Sequence, residues 1–203
     1  MATVPLADTL RLEYARLFNS CAVRPERAGA VDKVVSMIES GKARYQQVAG
    51  QSGIPWGFVA AIHNMESSLN FTRHLHNGDP LTKRTVQVPA GRPISGSPPF
   101  TWEESAIDAL TLKKLGPTTE WSLSGTLYQV ERYNGFGYRL YHPHVLSPYL
   151  WSYSNHYKSG KYIADGSWSD TAVSVQCGAA LILRRMAEIG QIEFIDQPVP
   201  QPD

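Results

Sequence analysis

The helical period of this 203-residue chain is interrupted between about residues 71 and 99, and that interruption constrains the fold more than any other feature. Before it, apolar residues recur at helical spacing. Leu6, Leu10, Tyr14, Leu17 and Phe18 form one such set, and Val31, Val34, Val35 and Ile38 a second. Gly41, Gly50 and Gly53 punctuate these helices, and Pro55 stands where a missing N–H costs nothing, at the start of the next. On that next helix Trp56, Val59, Ile62, Glu66 and Leu69 share a face. Inside the interruption, His76-Asn77-Gly78-Asp79-Pro80 is a turn signal and Thr85-Val86-Gln87-Val88 alternates like a strand. Gly91-Arg92-Pro93 and Ser97-Pro98-Pro99 then turn the chain again.

After the interruption the helical period resumes. Thr101-Trp102-Glu103-Glu104 is a capping box, in which the Thr101 hydroxyl takes an orphan N–H while Glu104 reaches back. Its helix is expected to run to about Lys114, with Ala106, Ala109, Leu110 and Leu112 inward. Residues 122–132 read as a further short helix, stopped at Tyr133-Asn134-Gly135. Residues 135–168 are aromatic, Gly- and Pro-rich, and read as an irregular binding edge. Asp170 is expected to cap a last helix that turns Val173, Cys177, Ala180, Leu181 and Leu183 inward. The expected fold is mainly α, a single helical domain with a small β-hairpin after the helix that carries Glu66. Residues 1–50 are N-terminal helices packed on that domain, 51–196 its core, and 197–203 a loose tail.

Composition narrows the function classes. A length of 203 residues supports one core without a disulfide or metal staple. Nineteen Lys and Arg against eighteen Asp and Glu leave a formal charge of +1, which argues against a nucleic-acid partner or a polybasic membrane surface. No apolar run has the length of a membrane span. The first twenty residues lack the basic and apolar regions of a secretory signal, so none is expected. Cys21 and Cys177 lie in apolar stretches and read as buried small hydrophobes, with a single long-range bridge as the other option. Five Trp, ten Tyr and six Phe in a Gly/Pro-rich frame suit a groove for neutral polar ligands such as sugars.

Glu66 is the residue most in need of an explanation. The stripe of Val59, Ile62 and Leu69 should face the core, and burial of a carboxyl there disfavours its charged form, as a general acid working near neutrality requires. A structural pairing with a buried arginine is the competing account. Metal is the competing chemistry: His63 and Glu66 lie at i and i+3, and His74-x-His76 could present two imidazoles. The second histidine of a His-Glu-x-x-His helix is missing, so no metal or other cofactor is expected.

The string Glu66-Ser67-Ser68-Leu69-Asn70-Phe71, closing an apolar helix, resembles the glutamate motif of the lysozyme-like superfamily of goose-type lysozymes, phage lysozymes and lytic transglycosylases. Tyr133-Asn134-Gly135 is similar to the Tyr-Asn-x-Gly segment that borders the sugar groove in its goose-type and transglycosylase branch. The resemblance covers about residues 50–185. It implies an α+β lysozyme-like fold, and a monomer that cleaves the N-acetylmuramic acid–N-acetylglucosamine backbone of peptidoglycan after release to the cell wall. Glu66 is then the general acid. Asp79 and Thr85 are candidates for handling the attacking water, and Thr82, Tyr133, Asn134, Gly135 and Tyr138 for holding the glycan. Tyr141, Tyr149, Trp151 and Tyr153 could line the same groove. Asp79 also has an ordinary reading as turn chemistry. The Gly-Leu-Met-Gln segment of transglycosylases is absent, with the stretch 79–99 in its place, so hydrolase and transglycosylase both stay open. The alternatives are a chitinase-type glycosidase and a non-catalytic wall-binding module.

Overall fold

A computed structural model describes residues 4–196; the tail expected to be loose, 197–203, lies outside the described residues. The elements in chain order are α1 (Asp8–Asn19), a 3-10 turn (Pro25–Arg27), α2 (Ala28–Ser40), α3 (Lys42–Ser52), α4 (Trp56–Ser67), α5 (Trp102–Leu112), α6 (Leu123–Asn134), α7 (Gly137–Tyr141), α8 (Pro148–Trp151), β1 (Lys161–Ala164), β2 (Ser167–Ser169) and α9 (Ala179–Glu188). The structure is mostly helical with a small antiparallel two-stranded sheet. Among the described residues no helix is long and apolar enough to cross a membrane. The chain divides into two compact units: a middle unit of residues 36–120, and a terminal unit of residues 1–35 with 121–203.

In the middle unit α3 packs on α4 and α5. Trp-Gly-Phe-Val-Ala-Ala-Ile is apolar on every face, so α4 is buried all round from Gly57 to Asn64. Phe58, Ile62 and Leu110 are fully buried, each stabilising the unit by roughly 1.5–3 kcal/mol. Pro55 is the N-cap of α4, as its position predicts. Gly53 ends α3 at φ +69°, and a Cβ there would meet Pro117 Cβ at 2.7 Å, so the position needs a glycine twice over. The capping box at Thr101 is present in both directions. Leu112, expected inside α5, is 43% exposed because the helix ends there and turns outward.

The strand and hairpin expected within residues 79–99 are not formed. That stretch is irregular, with one isolated bridge between Arg73 and Pro80. The backbone N–H groups of Val86 and Gln87, which a partner strand would have taken, go to the Asp79 carboxylate instead. The sheet lies far downstream, where β1 pairs with β2 through Lys161–Ser169 and Tyr162–Trp168.

In the terminal unit α1 packs on α6, and α8 on α9. α6 begins at the Ser122 cap and stops at Gly135 (φ +94°), the limits its sequence signals predict. The last helix is shorter than expected. It starts after Gly178, not Asp170, because residues 167–169 are held by β1 and the Asp170 carboxylate accepts the Trp168 indole N–H at 2.8 Å. Val173 is 44% exposed, whereas Leu181 and Leu183 are buried as expected. Gly178 lets the helix start against α8, since a Cβ there would lie 2.3 Å from the Leu150 carbonyl oxygen. Cys21 and Cys177 are both reduced and buried, and burial pushes both thiols up to about 12.

Candidate functional site

Glu66 is the penultimate residue of α4 and half-buried, at the point where the apolar stripe of Val59, Ile62 and Leu69 emerges from the core. The helix closes on two non-glycine residues in left-handed geometry, Ser68 (φ 52°) and Leu69 (φ 60°), with Leu69 N–H bonded to the His63 carbonyl at 3.3 Å. Such backbone costs about 1–2 kcal/mol per residue, and the buried Leu69 side chain offsets it. The following loop returns to the same place. A Cβ on Gly78 would stand 3.5 Å from the Glu66 carbonyl oxygen, so the turn containing Asp79 rests against the carbonyl end of α4.

Asp79 organises that turn. Its Oδ2 accepts N–H bonds from Val86 at 2.8 Å, Gln87 at 3.0 Å and the Asn77 amide at 3.2 Å, while Asn77 Oδ1 receives the Asp79 N–H at 3.0 Å. The backbone amides of Gln87 and Val86 hold its carboxyl below the ordinary carboxylate value, so it is ionised. Thr85 is buried, and its hydroxyl proton goes to the Pro89 carbonyl while its oxygen accepts Arg92 N–H at 2.9 Å. With its one proton used, Thr85 braces the loop and cannot donate to a water. Thr82 is exposed at the preceding turn.

The histidines form structural networks. His74 bonds the Ser105 hydroxyl through Nδ1 and the Lys83 carbonyl through Nε2, both at 2.8 Å. His76 Nε2 lies 2.7 Å from Asp108, which also takes Arg92 at 2.8 Å. Burial lowers the His76 pKa even with Asp108 opposing it. Ser105, His76 and Asp108 are in series, but Ser105 is fully buried, which excludes it as a nucleophile. His63 is fully buried against Phe71 and Trp102, with Nδ1 2.9 Å from the Tyr45 hydroxyl, and burial lowers its pKa to about 4. Among the described residues no group of three His, Cys, Asp or Glu side chains is arranged to hold a metal ion.

The other sequence candidates lie in the terminal unit. Tyr133 is buried on α6, Asn134 is exposed at its end, and Gly135 closes it. Tyr138 is buried edge-on to Tyr162 and Trp168, and its hydroxyl accepts Tyr162 N–H at 3.4 Å. Trp168 also carries His142 stacked on it at 3.5 Å, a partnership the twenty-five residues of intervening sequence gave no sign of. Tyr141 is exposed, Tyr149 and Trp151 are buried, and Tyr153 donates its hydroxyl proton to the Val175 carbonyl. The structure therefore gathers Glu66, Asp79, Thr82 and Thr85 in the middle unit, and Tyr133, Asn134, Gly135 and Tyr138 in the terminal unit. Comparison with protein-family models, curated proteins and solved structures returns no match for this chain.

Proposed function

We propose that this chain is a lysozyme-type glycosidase acting on the N-acetylmuramic acid–N-acetylglucosamine backbone of peptidoglycan, with Glu66 as general acid. The observation that carries the reading is the position of Glu66: a half-buried carboxyl on the last turn of an otherwise buried helix, inside the motif that resembles the superfamily's glutamate segment. A general acid there must deliver a proton to the glycosidic oxygen. As that bond breaks, positive charge develops on the sugar ring. Asp79, ionised and on a loop that abuts α4, supplies negative charge to the same end of the unit. Its three donors make it a poor proton acceptor, so electrostatic support fits it better than general-base work. Either water or the muramoyl C6 hydroxyl then completes the reaction, as hydrolase or transglycosylase. Thr82, exposed, is the side chain among the middle unit's candidates best able to contact glycan directly.

A non-catalytic wall-binding role draws on one observation, the engagement of both Asp79 and Thr85 with loop backbone. Peptidoglycan clearing separates the two. Wild type should clear a wall suspension and Glu66→Gln should not, with unchanged circular dichroism. Product masses then divide hydrolase from transglycosylase, because an anhydro end lacks one water. Wild-type protein that sediments with wall and never clears it would replace the glycosidase reading with the binding one.

A further inference from the structure

The loop that Asp79 stitches carries a surface that the chemistry at Glu66 does not use. Val86 is 63% exposed, Val88 89% and Ile94 69%, three large apolar side chains within nine residues of one loop. Scattered singly, such residues need no account; gathered on one excursion they mark a contact surface. The loop is held in shape before anything binds. Thr85 N–H bonds the Arg92 carbonyl and Gly91 N–H the Thr85 carbonyl, both at 2.8 Å, and Arg84 donates Nη2 to the Gly96 carbonyl at 2.8 Å. With the Val86 and Gln87 amides turned onto Asp79, the backbone is satisfied within the loop and the apolar side chains are left outside.

The charge on this loop has one sign. Between Pro80 and Trp102 the chain holds Lys83, Arg84 and Arg92 and no Asp or Glu. Asp108 neutralises Arg92. Lys83 is exposed, and Arg84 spends its donor on a neutral carbonyl, so two positive charges keep their field. Glu104, which comes near Gly96, is spent on the Thr101 cap. A partner that fits combines small apolar groups with carboxylates.

We propose that the loop 83–94 binds the stem peptide of peptidoglycan, the short alanine-rich, carboxylate-bearing peptide on the lactyl group of N-acetylmuramic acid. The proposal rests on the glycosidase reading, since it names a further part of the substrate at that site. The loop stands close enough: its base is tied to Asp79, and the neighbouring Gly78 lies against the Glu66 carbonyl. Five extended residues span up to about 17 Å, which carries a peptide from a muramoyl ring at Glu66 onto the loop. Alanine methyls then cover Val86, Val88 and Ile94, and peptide carboxylates meet Lys83 and Arg84. Little ordering cost opposes docking, because the loop is already fixed.

The test is calorimetric titration of the full chain carrying Glu66→Gln, chosen so that no cleavage intervenes, with two soluble ligands. One is N-acetylglucosaminyl-N-acetylmuramoyl pentapeptide, the other the same disaccharide without peptide. The peptide-bearing ligand should bind about tenfold tighter. Val88→Ser and Lys83→Gln, both at exposed positions, should each remove part of that difference and together most of it, leaving the affinity for the bare disaccharide unchanged. Equal affinity for the two ligands, no binding of the peptide-bearing one, or a preference that survives both substitutions would overturn the proposal. Sedimentation with phosphatidylglycerol vesicles, or concentration-dependent dimerisation, that Val88→Ser abolishes would also overturn it, by giving the loop to lipid or to a second copy. Failure of the glycosidase reading shows separately, as wild-type protein that releases no new glycan ends from wall, and peptide-dependent binding can stand without it.

Discussion

Two polar groups, one in each unit, are built in different ways. In the middle unit the loop after α4 closes on its own backbone: Asp79 on the Val86 and Gln87 amides and Thr85 on the Pro89 carbonyl and Arg92 amide, with His74 bridging the Lys83 carbonyl to the Ser105 hydroxyl. In the terminal unit Glu13, Arg139 and Glu131 close on one another, side chain to side chain, beside a cavity. The first arrangement stands in for secondary structure, because the irregular segment 68–101 between α4 and α5 needs partners for its N–H groups.

The sharpest way to break this contrast is Glu66→Gln, since Glu66 is the half-buried acid of the middle unit proposed for chemistry. Clearing of peptidoglycan should fall by about 10²–10⁴-fold, with the melting temperature within a few degrees of wild type. A matching loss of stability would move Glu66 to the scaffold side.

His63 gives the next largest effect. Its ordinary pKa of 6.5 falls to about 4 in the folded chain, so the unfolded chain binds the proton more readily. Stability from this group is complete above about pH 6.5 and is lost as pH falls towards about 4, by about 3 kcal/mol at full extent. His76, also shifted down, adds in the same direction. Urea unfolding at pH 7.5 and pH 4.5 should show the loss, and His63→Phe should flatten it.

Asp79→Ala removes three acceptor contacts and should cost about 2 kcal/mol, read as a lower urea midpoint. If it abolishes clearing with no change in midpoint, Asp79 belongs to the chemistry. Thr101→Ala should be milder still. It removes one side of an intact capping box and should lower stability by about 1 kcal/mol in the same assay.

Much of the helical frame was legible beforehand because its signals are local. Thr101 and Glu104 are three residues apart, and Ser122 and Gly135 bracket α6 directly. The hairpin expectation failed for a non-local reason. Alternation at 85–88 is indistinguishable from a strand until it is known that Asp79 has taken the amides. The last helix failed similarly, because Asp170 looks like a cap until Trp168 claims it. Of the candidate site, the position of Glu66 at the end of an apolar helix could be read from spacing. The Glu131–Arg139–Glu13 group could not, since Glu131 and Glu13 are 118 positions apart in sequence and nothing in either neighbourhood names the other.

Interactions within a turn or two are written in the order of residues, and for that reason the chain alone determined its mostly helical character, the capped ends of α5 and α6, and Glu66 on the last turn of α4. Which polar groups find partners, and which partners, depends on side chains brought together from distant segments. Only the packed structure decided that Asp79 would stitch a loop, that Thr85 would brace it, and that one arginine would serve two carboxylates.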